Sequence, residues 1–209
     1  MDRVLLTDAS GRVASFCPHG RLKTSGIAIP LVHHELHEGE LFTCYYENTV
    51  TNINEMTVIA FNTPIDKEII FGFRGSVTGI ANMYLYENTS IDVGEGTTLS
   101  VYNRNRAQSH ITSNLSTIEA TPVEGSITRL DETQAADANI TTTTSLWAKY
   151  IGSSLTGVAV EAASARAINE WLLAPSQQYA VVIKTATNDD NVCRITLNWQ
   201  EESLGVYHS

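Results

Sequence analysis

The chain is poor in charge, in cysteine and in long apolar runs, and each scarcity excludes something. Only 17% of its 209 residues are Asp, Glu, Lys or Arg, and 23 acidic residues against 13 basic ones leave a formal net charge of -10. A nucleic-acid partner requires clustered Lys and Arg to neutralise phosphates. The densest basic cluster is Arg104 with Arg106, so no DNA or RNA partner is expected. The same balance disfavours an anionic membrane surface. Cys17, Cys44 and Cys193 form no C-x-x-C pair, which excludes a zinc ribbon, and their odd number argues against a disulfide framework. Cys44 and Cys193 fall in apolar strand patterns and read as small core residues, as expected of a chain made in a reducing cytoplasm. No stretch reaches the roughly 20 apolar residues of a membrane-spanning helix. The opening MDRVLLTDASGRV lacks the apolar run of a signal peptide.

What is present is hydrophobic alternation. The hydrophobic fraction of 43% suffices for a core. Residues 1–29 show no sustained period and read as an N-terminal arm, with a boundary near Pro30 and a second region over 30–209. From there the period is two. Phe42, Cys44 and Tyr46 alternate with Thr43, Tyr45 and Glu47. Met56, Val58 and Ala60 alternate with Thr57, Ile59 and Phe61, and Ile69, Phe71 and Phe73 with Glu68, Ile70 and Arg74. Cys193, Ile195, Leu197 and Trp199 share one face of the last strand, with Arg194, Thr196, Asn198 and Gln200 on the other. One buried and one wetted face is the signature of antiparallel sheets.

Turn signals punctuate these runs: NTPIDK at 62–67, ENTS at 87–90, VGEG at 93–96, APSQQ at 174–178 and NDDN at 188–191. Their spacing suits an all-β sandwich or barrel. Helix signals are scarce, and only 163–173 suggests a helical turn or two, while Trp171 to Leu173 also reads as a hairpin arm leading through the Pro175 turn into Tyr179 to Lys184. Residues 107–146 are rich in Thr and Ser; short irregular strands are expected there, over 116–121 and 126–130.

The densest cluster of chemistry is HHELHEGE at 33–40. A helical zinc-protease motif needs two His four apart with Glu directly after the first. His33 and His37 have the spacing, but His34 occupies the Glu position. On a strand, His33, Glu35 and His37 would share a face and offer two imidazoles and a carboxylate to iron or zinc. The competing reading is a half-exposed strand whose imidazoles hydrogen-bond to neighbours. His110 and Asn114 echo one half of a cupin metal motif, without its first half. In YNRNR at 102–106, Arg104 and Arg106 would share a face if extended, as a pair for an acidic partner surface or sugar hydroxyls; the favoured reading is a loop after a strand over 97–102, its Arg forks pairing with internal carboxylates and carbonyls, or a subunit contact. No G-x-S-x-G elbow exists, and no paired carboxylates stand in a glycosidase context. Trp147, Trp171 and Trp199 read as core or interface residues rather than a sugar platform.

The order HHELHEGELFT, MYLYENTS, GTTLSVYNRNR, EWLLAPSQQYAVVIKT and ITLNWQEE resembles a group of tailed-bacteriophage virion proteins, described as head-decoration (cement) or minor structural proteins. The likeness covers about residues 30–202, and its most specific parts carry no catalytic motif. It implies an all-β, jelly-roll-like antiparallel β-sandwich with an extended N-terminal arm. It implies a non-enzymatic protein without cofactor, seated on the virion capsid surface as a homotrimer that bridges major capsid protein subunits. His33, His34, His37, Arg104 and Arg106 are the expected partner contacts. A tail, neck or adsorption component binding host glycans is the alternative, and a cupin-like metalloprotein a third.

Overall fold

A computed structural model describes residues 15–16, 22–23, 39–138, 140, 144–152, 160–161 and 170–203. The chain divides into two compact units, Met1–His34 and Glu35–Ser209. In the first, β1 (Ser15–Phe16) pairs antiparallel with β2 (Leu22–Lys23). The expected arm and the Pro30 boundary otherwise lie outside the described residues.

The second unit is an antiparallel β-sandwich, as the alternation predicts. Its strands are β3 (Leu41–Val50), β4 (Met56–Asn62), β5 (Lys67–Val77), β6 (Ile80–Glu87), β7 (Thr97–Ser100), β8 (Tyr102–Asn103) and β9 (Ser126–Leu130). They continue with β10 (Thr144–Gly152), β11 (Val160–Glu161), β12 (Trp171–Leu173), β13 (Gln178–Thr185) and β14 (Asn191–Ser203). One sheet runs β10-β6-β13-β4-β9-β7 and the other β11-β5-β14-β3-β8, with β12 also on β5. From β3 to β6 each strand lies in the opposite sheet from its predecessor, and β13 crosses to β14 in the same way.

The core fills the space between the sheets because inward positions recur every second residue. Phe61 of β4 meets Phe71 of β5 across that space at 5.2 Å between ring centroids, and Phe73 meets Trp147 of β10 edge-on at 5.2 Å. Each fully buried large apolar side chain stabilises the fold by about 1.5–3 kcal/mol. Phe61→Ala is therefore a change costing roughly 3–5 kcal/mol.

The sheet carrying β4 departs from simple alternation. Met56, Val58 and Ala60, expected to share one face against Thr57, Ile59 and Phe61, are buried, and so is that opposite face. Ile59 and Phe61 enter the main core, while Met56, Val58 and Ala60 join Ala180, Val182 and Tyr86 in a second cluster outside the sheet. The cover comes from the segment between β6 and β10, through Ile91, Ile118, Ala135 and Ile140. That segment also adds β7 and β9 beside β4, and β8 beside β3.

It contains the one α-helix among the described residues, α1 (Glu132–Asp137), where strands had been expected nearby. The Asp131 carboxylate accepts the Gln134 N–H at 2.9 Å, and the Gln134 side chain accepts the Asp131 N–H at 3.1 Å. This reciprocal box starts a short helix that propensity alone would not sustain. Strand β9 falls at the expected 126–130, whereas 116–121 contributes only two isolated bridges at Ser116, to Asn62 and to Glu124. Of the stretch 163–173, the last three residues are strand β12, as the hairpin-arm reading has it and not the helical one, though β12 pairs with Ile69 to Phe71 of β5 rather than with β13; residues 162–169 lie outside the described set. At the end of β10, Gly152 has φ +100°, and a Cβ there would stand 1.9 Å from the Gly79 carbonyl oxygen, so only glycine fits.

Candidate docking surface

YNRNR does not run extended. Tyr102 and Asn103 form β8, opposite Thr43 and Phe42 of β3, and the Arg104 N–H adds one more bond to the Leu41 carbonyl at 2.8 Å. Asn103 is buried, and its amide donates to the carbonyls of Gly39 (2.7 Å) and Ile111 (3.3 Å) while its Oδ1 accepts the Asn105 N–H at 2.8 Å. Asn105 in turn caps a 3-10 turn over Arg106–Gln108 by accepting the Ala107 N–H. Asparagine recurs because a short amide can bond the backbone two residues on.

The turn separates the two arginines. Arg104 follows the strand edge, and Arg106 stands at a cleft of about 420 Å³ lined also by Phe42, Tyr102, Ile111 and Ser113. Both are exposed, and neither guanidinium makes a hydrogen bond or ion pair among the described residues. The chain thus leaves the strand in a turn, as the loop reading has it, the Asn105 cap ends the extended register in which the two arginines would share a face, and among the described residues no carboxylate takes up either fork.

The register places further groups beside them. Cross-strand partners point to the same side of a sheet. The outer face of the β3–β14–β5 sheet thus carries rows of Tyr102, Thr43, Asn198 and Gly72; of Tyr45, Thr196 and Arg74; and of Glu47, Arg194 and Ser76. Tyr45 is 60% exposed and Tyr102 47%. They occupy diagonal positions on adjacent strands, roughly 7–8 Å apart. Arg194 donates to Glu47 through Nε at 2.8 Å and through a terminal nitrogen. Both side chains are solvated, so that pair contributes at most about 1 kcal/mol. Arg74 has no side-chain partner among the described residues. A chain of net charge -10 thus carries, beside two exposed tyrosines, three arginines whose side chains have no partner among the described residues: the exposed Arg104 and Arg106 and the half-buried Arg74. Tyr and Arg are the residue types that dominate binding energy at protein interfaces.

The sequence signals for this surface were Tyr45, a large aromatic on the wetted side of its strand, and YNRNR itself. Arg74 was legible as outward-facing but not as a neighbour of Tyr45, because cross-sheet register is not written locally. His33, His34 and His37 lie outside the described residues. His110 is exposed and Asn114 spends its amide on Glu201 at 2.5 Å, so the two do not form a ligand pair. No group of three or more His, Cys, Asp or Glu among the described residues is placed to hold a metal. Trp199 is buried, and Trp147 and Trp171 pack partly buried against the core.

The buried titratable groups are committed to the fold. Burial pushes the Cys44 thiol up to about 12 and the Cys193 thiol up to about 11, and the protonated form of either is a poor nucleophile. Burial and the neighbouring Tyr84 push Tyr86 up to about 12. Burial and the Glu87 carboxylate also raise Tyr179, whose hydroxyl donates to Glu87 at 2.6 Å and accepts the Ala174 N–H at 2.9 Å. No family model, curated protein or solved structure matches the chain.

Proposed function

We propose that this chain is a non-enzymatic structural protein of a tailed-phage virion, and that it decorates the capsid by bridging adjacent major capsid subunits. The observation that carries the proposal is the Tyr45–Tyr102 face with Arg74, Arg104 and Arg106 around it. Such a surface suits an acidic protein partner: the rings supply contact area at little entropic cost, and the guanidiniums form bidentate bonds to carboxylates. Bridging buries surface at subunit joints and raises the barrier to shell rupture. The strand order supports the same reading. Pairing of β3-β14-β5-β11 against β4-β13-β6-β10 supports the jelly-roll reading of the sandwich, an architecture that recurs in viral capsid proteins. A homotrimer is the assembly we assign to it.

The test is a binding assay on parent-phage shells assembled without this protein. The wild-type chain should saturate the shells and raise their rupture temperature. Arg104→Glu/Arg106→Glu and Tyr45→Ala/Tyr102→Ala, checked to be folded, should each weaken binding at least tenfold, about 1.4 kcal/mol. Wild-type binding by both variants, or localisation of the protein to the tail alone, would overturn the proposal.

A further inference from the structure

Three of the turn signals in the sequence, at 62–67, 87–90 and 174–178, converge at one end of the sandwich. There β4 and β6 end and β13 begins. Together with the segment around Ser116 and Pro122 they border an open cleft of about 560 Å³. That lies within the roughly 300–1,000 Å³ of ligand pockets. Its lining is Asn62, Thr63, Asn88, Thr89, Ser116, Pro122, Ser176, Gln177 and Gln178. No residue in that set is charged, and all but Pro122 carry an amide or a hydroxyl.

Part of this polar set builds the cleft and part is left over. Thr63 Oγ1 donates to the Ala174 carbonyl at 2.8 Å and accepts the Gln177 N–H at 3.0 Å. The Gln178 carboxamide oxygen accepts from Thr89 Oγ1 at 2.6 Å and from the Ile91 N–H at 2.9 Å. Asn62 and Ser116 exchange both backbone bonds, at 3.0 and 3.2 Å, and the Asn62 amide donates to the Thr117 carbonyl at 3.0 Å. After these bonds the carboxamides of Asn88 and Gln177 and the hydroxyls of Ser116 and Ser176 have no partner among the described residues. Asn88 and Ser176 both hold φ of 55°, a left-handed conformation that glycine would adopt more cheaply. Both are turn residues, and both line the cleft with a polar side chain.

From this chemistry we infer that the cleft is a binding site for a neutral saccharide. Sugar hydroxyls donate and accept at once, so they match free carboxamides and hydroxyls, whereas a phosphate, a carboxylate or a metal ion would find no countercharge. An extended peptide is the poorer fit. The backbone groups of Asn62, Thr63, Ser116 and Gln177 already pair with one another, which leaves no open strand edge for it to join. The lining offers no aromatic ring for stacking, so the affinity is millimolar. The cleft shares no residue with the docking surface.

Titration of the 15N-labelled full chain with glucose, galactose and N-acetylglucosamine tests it by NMR. At least one sugar should produce saturable shifts in the side-chain amide signals of Asn88 and Gln177, with a millimolar Kd. Asn88→Gly, which keeps the left-handed backbone, and Gln177→Ala should each weaken that sugar at least fivefold while the rest of the spectrum stays folded. Inorganic phosphate and a neutral tetrapeptide serve as probes of the other classes. Absence of saturable shifts with all three sugars, binding unaffected in both variants, or equal binding of phosphate or peptide would overturn the assignment.

Discussion

The Ser113 hydroxyl donates to the Glu201 carboxylate across 2.5 Å, tying the segment inserted between β6 and β10 to the last strand of the sandwich. Glu201 also accepts from the Asn114 N–H at 2.9 Å and from the indole of Trp199 at 2.9 Å, with only 2% of its surface exposed. A buried carboxylate is tolerated here because donors surround it. Glu201→Ala leaves those donors unpaired and should cost about 3 kcal/mol or more, while Glu201→Gln, which keeps one acceptor, should cost roughly half as much. Urea unfolding at neutral pH measures both; a loss below about 1 kcal/mol for the alanine variant would show that water replaces the carboxylate.

Glu55 and Glu132 provide a pH signature. The backbone N–H groups of Asn52 and Thr51 and the Asn52 side chain hold Glu55 below the ordinary value of 4.5. Partial desolvation and the charge of Glu55 hold Glu132, in the first turn of α1, above 4.5. A depressed carboxyl stabilises the fold above its unfolded pKa, and that contribution is lost as pH falls through the folded value. A raised one contributes below its unfolded pKa and loses the contribution as pH rises through the folded value. Glu55→Gln should therefore be less stable than the parent at neutral pH, with the gap closing in acid. Glu132→Gln should be more stable at neutral pH by a few tenths of a kcal/mol, since the group is solvated. That gain should fade once pH drops below 4.5. Urea midpoints across this pH range decide it, and a Glu132→Gln variant weaker than the parent at neutral pH contradicts the assignment.

Thiol chemistry follows from burial. With their thiols raised to about 12 and about 11, Cys44 and Cys193 should resist iodoacetamide in the native protein at mildly alkaline pH. Both should react once urea unfolds the chain. Peptide mapping by mass spectrometry reads this directly, and rapid native labelling of either would mean that the sandwich opens easily.

The strands were legible wherever one face is wet. Phe42, Cys44 and Tyr46 of β3, and Cys193, Ile195, Leu197 and Trp199 of β14, point inward as their spacing predicts. Legibility failed where a second layer covers the sheet: Val58 and Ala60 belong to a different cluster from Ile59 and Phe61, and nothing local distinguishes them. Helix α1 was missed although Asp131 and Gln134 carry its capping box, because a helix of six residues leaves almost no periodic trace. In YNRNR the residue types pointed to a contact, but the Asn105 cap decided that its arginines diverge.

By itself, then, the sequence determined the period, and with it the antiparallel sheets, the identity of the inward residues and the positions of the turns, since each of these is a property of neighbours along the chain. Only the tertiary structure decided which turns meet to form the neutral cleft, which outward residues line up across strands, and that the inserted segment roofs one sheet and extends both. Register and layering arise from pairings between residues far apart in sequence, and no local pattern encodes the partner.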